Sequence, residues 1–174
     1  ARTESTTETV FDLGPVSVTA ATVVFEDRDL RARVAERTGI DRTWRFAFAG
    51  RVEVPGSSGS RALSRLVRDR ARSGFADRLG RRGFEAVERA GERSLGEVTA
   101  TRYAARVVVE DVVVDAEGWL GVSPERDRPR SFRLAGGAYP RGVREAPDEA
   151  TREALAGLFD PGAFRDELLA FVRG

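Results

Sequence analysis

The chain has 174 residues, a formal net charge of +1 and a charged fraction of 33%, with both signs interleaved along its length. That length suits one compact domain, and the near-balanced charge supplies no global field to draw in nucleic acid or a membrane surface. There is no Cys, Met or His, and equally no Lys, Asn or Gln, so all 29 basic residues are Arg.

The residue alphabet limits the chemistry more sharply than any motif does. Without His, no side chain titrates near neutrality at its ordinary pKa. Without Cys there is no thiolate nucleophile and no disulfide, and without Cys and His together ordinary zinc sites are ruled out. Without Lys there is no Schiff base and no phosphate-loop lysine. Without Asn and Gln, an oxyanion hole would rest on backbone N–H groups. Carboxylate-pair hydrolysis, Mg²⁺ or Ca²⁺ sites built from oxygen ligands and uncommon serine arrangements stay open. Two origins fit this alphabet, a very GC-rich genome or a deliberately restricted residue set. No apolar run approaches the roughly eighteen residues of a membrane span, and no charged–apolar–small export signal opens the chain, which points to the cytoplasm. Ala1-Arg2-Thr3 fits loss of an initiator methionine and fits equally a mature form.

Taken in order, Thr6 to Leu13 and Val16 to Phe25 read as two strands around a Gly14-Pro15 turn. The second changes apolar phase, from Val16, Val18 and Ala20 to Ala21, Val23 and Phe25, which predicts a bulge near Ala20–Thr22. Asp27 or Asp29 caps a short helix, Leu30 to Thr38, ended by Gly39. Trp44, Phe46, Phe48, Val52 and Val54 then alternate with polar or small residues, giving a strand with one apolar face and Gly50 upon it. Pro55 to Ser60 is a loop. The longest helix runs from about Ser60 to Arg82 with an i, i+4 ladder of Leu63, Val67, Ala71, Phe75 and Leu79, weakened at Gly74 and Gly80. The ladder drifts by roughly 40° per step, so the helix should cross its sheet obliquely.

Gly83 to Val87 opens a further strand, Ser94-Leu95-Gly96 a turn, and Val98 to Val109 a strand with Tyr103, Ala105, Val107 and Val109 on one face. Asp115-Ala116-Glu117-Gly118 reads as the next turn, leading to a strand Trp119–Val122. Ser123–Arg130 reads as a charged loop, and a last strand as interrupted by Gly136-Gly137. A helix starting at Pro147 or Asp148 carries Leu155, Leu158 and Phe159. Asp160-Pro161 caps another, with Phe164, Leu168, Phe171 and Val172 on one face. The order predicts a single α+β domain over residues 1–174, with an antiparallel sheet of about six or seven strands covered by the long helix and the C-terminal helices.

Gly83-Phe84 after the long helix, the small-residue turn Ser94–Gly96, the strand segment Tyr103–Val107 and the terminal pattern Phe164–Phe171 together resemble the PsbP-like superfamily over about two thirds of the chain. That resemblance implies an α/β/α sandwich and a binding or assembly role without catalysis, and it carries over no site residue. The composition also resembles that of haloarchaeal proteins, without their acidity.

Several constellations stand out. The long helix carries eight arginines (61, 65, 68, 70, 72, 78, 81 and 82) against Asp69 and Asp77. Arg61, Arg65, Arg68 and Arg72 share a narrow stripe, readable as an anion-binding footprint or as a solvated face where Arg does the work of Lys. No aromatic residue interleaves that stripe, which argues against nucleic acid as partner. Asp111, Asp115 and Glu117 are oxygen ligands of the kind Ca²⁺ or Mg²⁺ prefers, although turn chemistry explains them as well. Glu110 or Asp111 with Asp148, Glu149, Asp166 or Glu167 would make a carboxylate pair, or each acid simply pairs with Arg. Gly56–Ser60 precedes a helix N-terminus where anions bind, and Gly136-Gly137 beside Tyr139 would let a ligand approach the backbone. Trp44, Phe46 and Phe48 either line a pocket between sheet and helix or form core. The resulting expectation is a non-enzymatic binding or assembly domain for a protein or small ligand, with no catalytic residue, cofactor or metal assigned. The alternatives are anion or nucleic-acid binding through Arg61, Arg65, Arg68 and Arg72, and a divalent-metal or carboxylate-dependent hydrolase.

Overall fold

A computed structural model describes residues 2–13, 16–54 and 61–174, with side chains for 21–54, 61–128 and 130–174. The expected turn at Gly14-Pro15 and the loop Pro55–Ser60, with its Gly56–Ser60 anion-site reading, lie outside the described residues. In chain order the elements are β1 (Arg2–Leu13), β2 (Val16–Asp27), α1 (Arg28–Thr38), β3 (Phe46–Glu53), α2 (Arg61–Arg81), β4 (Phe84–Leu95), β5 (Val98–Val109), β6 (Val112–Glu125), β7 (Arg128–Glu145), α3 (Glu149–Ala156) and α4 (Pro161–Arg173). Among the described residues, one seven-stranded antiparallel sheet has the order β1-β2-β3-β7-β6-β5-β4. This is the expected α+β class.

The topology explains the long helix. After β3 the chain must reach the far edge, β4, four strand spacings of ~4.8 Å away, before a meander returns it to the centre. A helix of 21 residues is about 31 Å long and makes that crossing over one face. Its ladder sets the contact: Val67, Phe75 and Leu79 are buried, and Leu63 and Ala71 pack against them. Asp27 caps α1 by accepting from the Leu30 N–H, and Gly39 ends it at φ 76°, a left-handed conformation that glycine adopts without strain. Asp148 and Asp160 cap α3 and α4 in the same way, through the N–H groups of Thr151 and Ala163.

Both faces of the sheet are covered. On one, α1, α2 and α3 pack over Phe46, Phe48, Val52, Tyr103, Val107, Val114 and Leu120. On the other, Leu168, Leu169 and Val172 of α4 pack over Val98, Ala100, Trp119, Ala135 and Tyr139. The layers are therefore helix, sheet, helix. Among the described residues no helix is long and apolar enough to cross a membrane.

Double coverage corrects three expectations. The apolar phase change in β2 needs no bulge, because pairing runs one-to-one through Ala20–Thr22 on both sides. Val24 joins the core on the α2 face, while Phe25 meets Phe171 of α4 edge-on from the opposite face. Residues Asp115–Gly118 are not a turn. They lie within β6, and the hairpin turns earlier, at Glu110-Asp111, with Glu110 at φ 51°. Polarity suggested a turn there, but Asp115 is held by Arg144, and Glu117 by Trp119 and Tyr139, so the strand continues. Gly136-Gly137 does not interrupt β7. A Cβ at Gly136 would lie 2.9 Å from a Phe48 ring carbon, and one at Gly137 only 2.2 Å from the Phe46 carbonyl and 3.0 Å from Leu168. These glycines thin the sheet so that Phe48 seats on one face and α4 on the other.

The supposed loop Ser123–Arg130 shrinks to the short turn at Arg126-Asp127, with Pro124 opposite Phe132 at a register shift where its missing N–H costs little. Strand β4 does carry two irregularities, between Glu85 and Glu88 and between Arg89 and Gly91.

Candidate ligand-binding cleft

Where α2 crosses β2, β3, β7 and β6, the i, i+4 ladder leaves one flank of the helix unsupported, and a cleft of about 310 Å³ opens between helix and sheet. Its apolar floor is Phe48, Val52, Val67, Phe75, Leu120 and Leu134, and Gly50 and Thr22 thin its wall. A Cβ at Gly50 would lie 3.1 Å from the Ala21 carbonyl and from the Thr22 hydroxyl, so β3 and β2 meet closely there. Phe48 serves as both core and pocket lining. It is buried, its ring lies 5.6 Å from that of Phe75, and it lines the cleft.

Four arginines reach this cleft. Arg51 is occupied by a two-pronged ion pair to Glu125, at 2.8 and 2.9 Å. Arg70 and Arg81 stand exposed on α2 with no ion pair among the described residues. Arg78 is half-buried, with its guanidinium carbon 5.6 Å from the centre of the Phe48 ring. It makes no ion pair and no side-chain hydrogen bond among the described residues. Burial first, and then the charges of Arg81 and Arg82, hold its pKa below the usual guanidinium range. The sole acid lining the cleft among the described residues is the exposed Asp77. Among the described residues the site therefore offers an apolar slot with an uncompensated cationic side.

The arginine stripe lies elsewhere. Arg61, Arg65 and Arg68 are exposed on α2. Arg72 is turned toward β4 and β5, where it binds Glu92 at 2.6 Å, Asp69 at 3.5 Å and the Thr101 hydroxyl at 3.2 Å, while its carbonyl accepts from the Tyr103 hydroxyl. None of the four lines this cleft. Arg70, Arg78 and Arg81 do, and their spacing of i, i+8 and i+11 places them on one flank. Only the position of the helix relative to β3 marks that flank as the concave one.

The acids also separate. Asp111 sits in the β5–β6 hairpin turn, Asp115 pairs with Arg144 and Glu117 is buried, and no group of three potential metal ligands exists among the described residues. Asp148 caps α3, Glu149 pairs with Arg152, Asp166 with Arg165 and Glu167 with Arg45, so the carboxylates are distributed among arginines.

A family model described as a domain of unknown function (DUF6517) matches residues 1–174. The chain belongs to that family. The match covers the cleft, both helical layers and all seven strands of this DUF6517 domain. No curated protein and no solved structure matches the chain.

Proposed function

We propose that this DUF6517 chain is a non-enzymatic binding domain whose cleft beneath α2 receives a small amphiphilic anion. The apolar part lies against Phe48, Val67 and Leu134, and the anionic head meets Arg78. Arg78 carries the reading: a half-buried guanidinium against an aromatic ring, repelled by its cationic neighbours and, among the described residues, lacking a carboxylate partner. Burying an uncompensated charge is unfavourable, and an anionic headgroup removes that cost through charge-assisted hydrogen bonds. The resemblance to the PsbP-like superfamily, with its binding and assembly roles, supports the same reading.

A small ligand is favoured over a protein surface. The cleft is concave, and its volume of about 310 Å³ falls within the range of small-molecule sites. Among the described residues, the large hydrophobic side chains that stand exposed are Leu66 on α2 and Val108 on β5, too few and too separate to form a docking patch.

Calorimetric titration with octyl phosphate, octanoate and octanol tests the proposal. The two anions are expected to bind, with octanol at least ~10-fold weaker, and Arg78→Gln is expected to reduce anion affinity by about 10- to 100-fold, the worth of a charged hydrogen bond. Equal affinity for alcohol and anion, or anion binding indifferent to Arg78→Gln, would refute it.

A further inference from the structure

The opposite face of the sheet holds a second, more polar cleft of about 480 Å³, built around Glu117. Glu117 lies in the middle of β6 and is only 6% exposed. One carboxylate oxygen, Oε1, accepts from the Trp119 indole N–H at 2.9 Å and from the Tyr139 hydroxyl. The other, Oε2, accepts no hydrogen bond among the described residues. Its nearest cationic nitrogens, on Arg102 and Arg141, stand 3.7 and 3.8 Å away. A buried carboxylate ordinarily fills its lone pairs, so Oε2 is an open acceptor at the floor of the cleft.

The walls are cationic. Arg102 is tethered through one nitrogen to the Ala90 carbonyl at 2.8 Å. Arg141 holds only its long contact to Glu117 among the described residues, and Arg165 enters from α4, steadied by Asp166. Glu92, on the rim, is consumed by Arg72 and Arg89. Four guanidinium groups, those of Arg93, Arg102, Arg141 and Arg165, thus line the cleft with donors to spare around one buried carboxylate. Guanidinium forks match phosphate oxygens in pairs, so the walls select an anion of that shape. Oε2 repels a bare anion and welcomes a hydroxyl donor beside it.

From this juxtaposition we infer that the Glu117 cleft is a binding site for a small hydroxylated phosphoester. Its phosphate lies between Arg141 and Arg165, and its hydroxyl donates to Glu117 Oε2. The inference does not depend on the α2 cleft, which lies on the other side of the sheet.

The test is a titration of the full chain with glycerol 3-phosphate, inorganic phosphate and glycerol. Calorimetry gives affinity, and the indole N–H resonances of the two tryptophans give location. Glycerol 3-phosphate is expected to bind tighter than either fragment and to shift the Trp119 indole signal while leaving that of Trp44, in the other core, in place. Arg141→Gln and Arg165→Gln, both exposed positions, are each expected to cut affinity by about tenfold or more. Inorganic phosphate binding as tightly as the ester would overturn the hydroxyl assignment. No shift of the Trp119 signal, or affinity unaltered in both exposed variants, would overturn the site.

Discussion

Glycine 137 shows how one atom sets the layer spacing. Its missing Cβ is what allows the Phe46 carbonyl and Leu168 of α4 to approach β7 from different directions. Gly137→Ala therefore forces backbone to move, and a loss of about 1–3 kcal/mol in chemical denaturation is expected. The sequence drew attention to Gly136-Gly137 but not to its reason, since a glycine pair reads alike as a break, a bulge or a thin place in a sheet. Glu117 reads as turn chemistry in the sequence for a related cause. Its partners Trp119 and Tyr139 are two and twenty-two positions away, and only the β6–β7 register brings the second within reach.

The two tyrosines give a pH test with a definite sign. Burial pushes the Tyr103 phenol up to about 12, and burial with the Glu117 hydrogen bond pushes Tyr139 higher still. Both folded-state values are raised, so the stability they confer is complete below the unfolded value of about 10 and disappears as pH rises through the folded values. Phenolate absorbance is expected to stay flat to about pH 11 and then to rise together with loss of the circular dichroism signal. A phenol ionising near pH 10 in the native fold would contradict the buried placement.

Among the elements, α2 carries most of the argument. Its apolar ladder and length are legible, because the period belongs to the helix itself. Strand β5 was likewise legible over its full span, Val98–Val109. The cleft was not. The stripe of Arg61, Arg65, Arg68 and Arg72 is the denser cluster on the helix wheel, yet Arg70, Arg78 and Arg81 line the cavity. Which flank is concave depends on where β3 lies under the helix, and the β3–β7 pairing decides that. Phe75 is the pivot of the element. It sits between Phe48 at 5.6 Å and Tyr103 at 5.0 Å, and rests over Gly118. Phe75→Ala is expected to cost about 3–5 kcal/mol in unfolding free energy, because the surrounding rings cannot all collapse into the void. A cost under ~1 kcal/mol would mean that the helix does not depend on this contact.

For the whole molecule, the layering follows from one topological fact: β3 and β4 lie far apart in the sheet although successive in the chain. The crossover covers one face with α2, the returning meander builds the centre, and α4 closes the other face with Leu168, Leu169 and Val172. A sheet sealed on both sides leaves room only at the margins of its helices. The cleft beneath α2 combines apolar lining with cationic charge that is unpaired among the described residues, and the one at the start of α4 combines a buried carboxylate with arginines. An alphabet lacking His, Cys and Lys makes arginine the natural instrument for both.

The most direct measurement is a crystal structure of the chain with ω-bromo-octanoate, in which anomalous scattering locates the bromine. The expected result is a carboxylate within hydrogen-bonding distance of the Arg78 guanidinium and a bromine among Phe48, Val67 and Leu134. A bromine bound reproducibly outside that slot, or a carboxylate turned to solvent away from Arg78, would contradict the account.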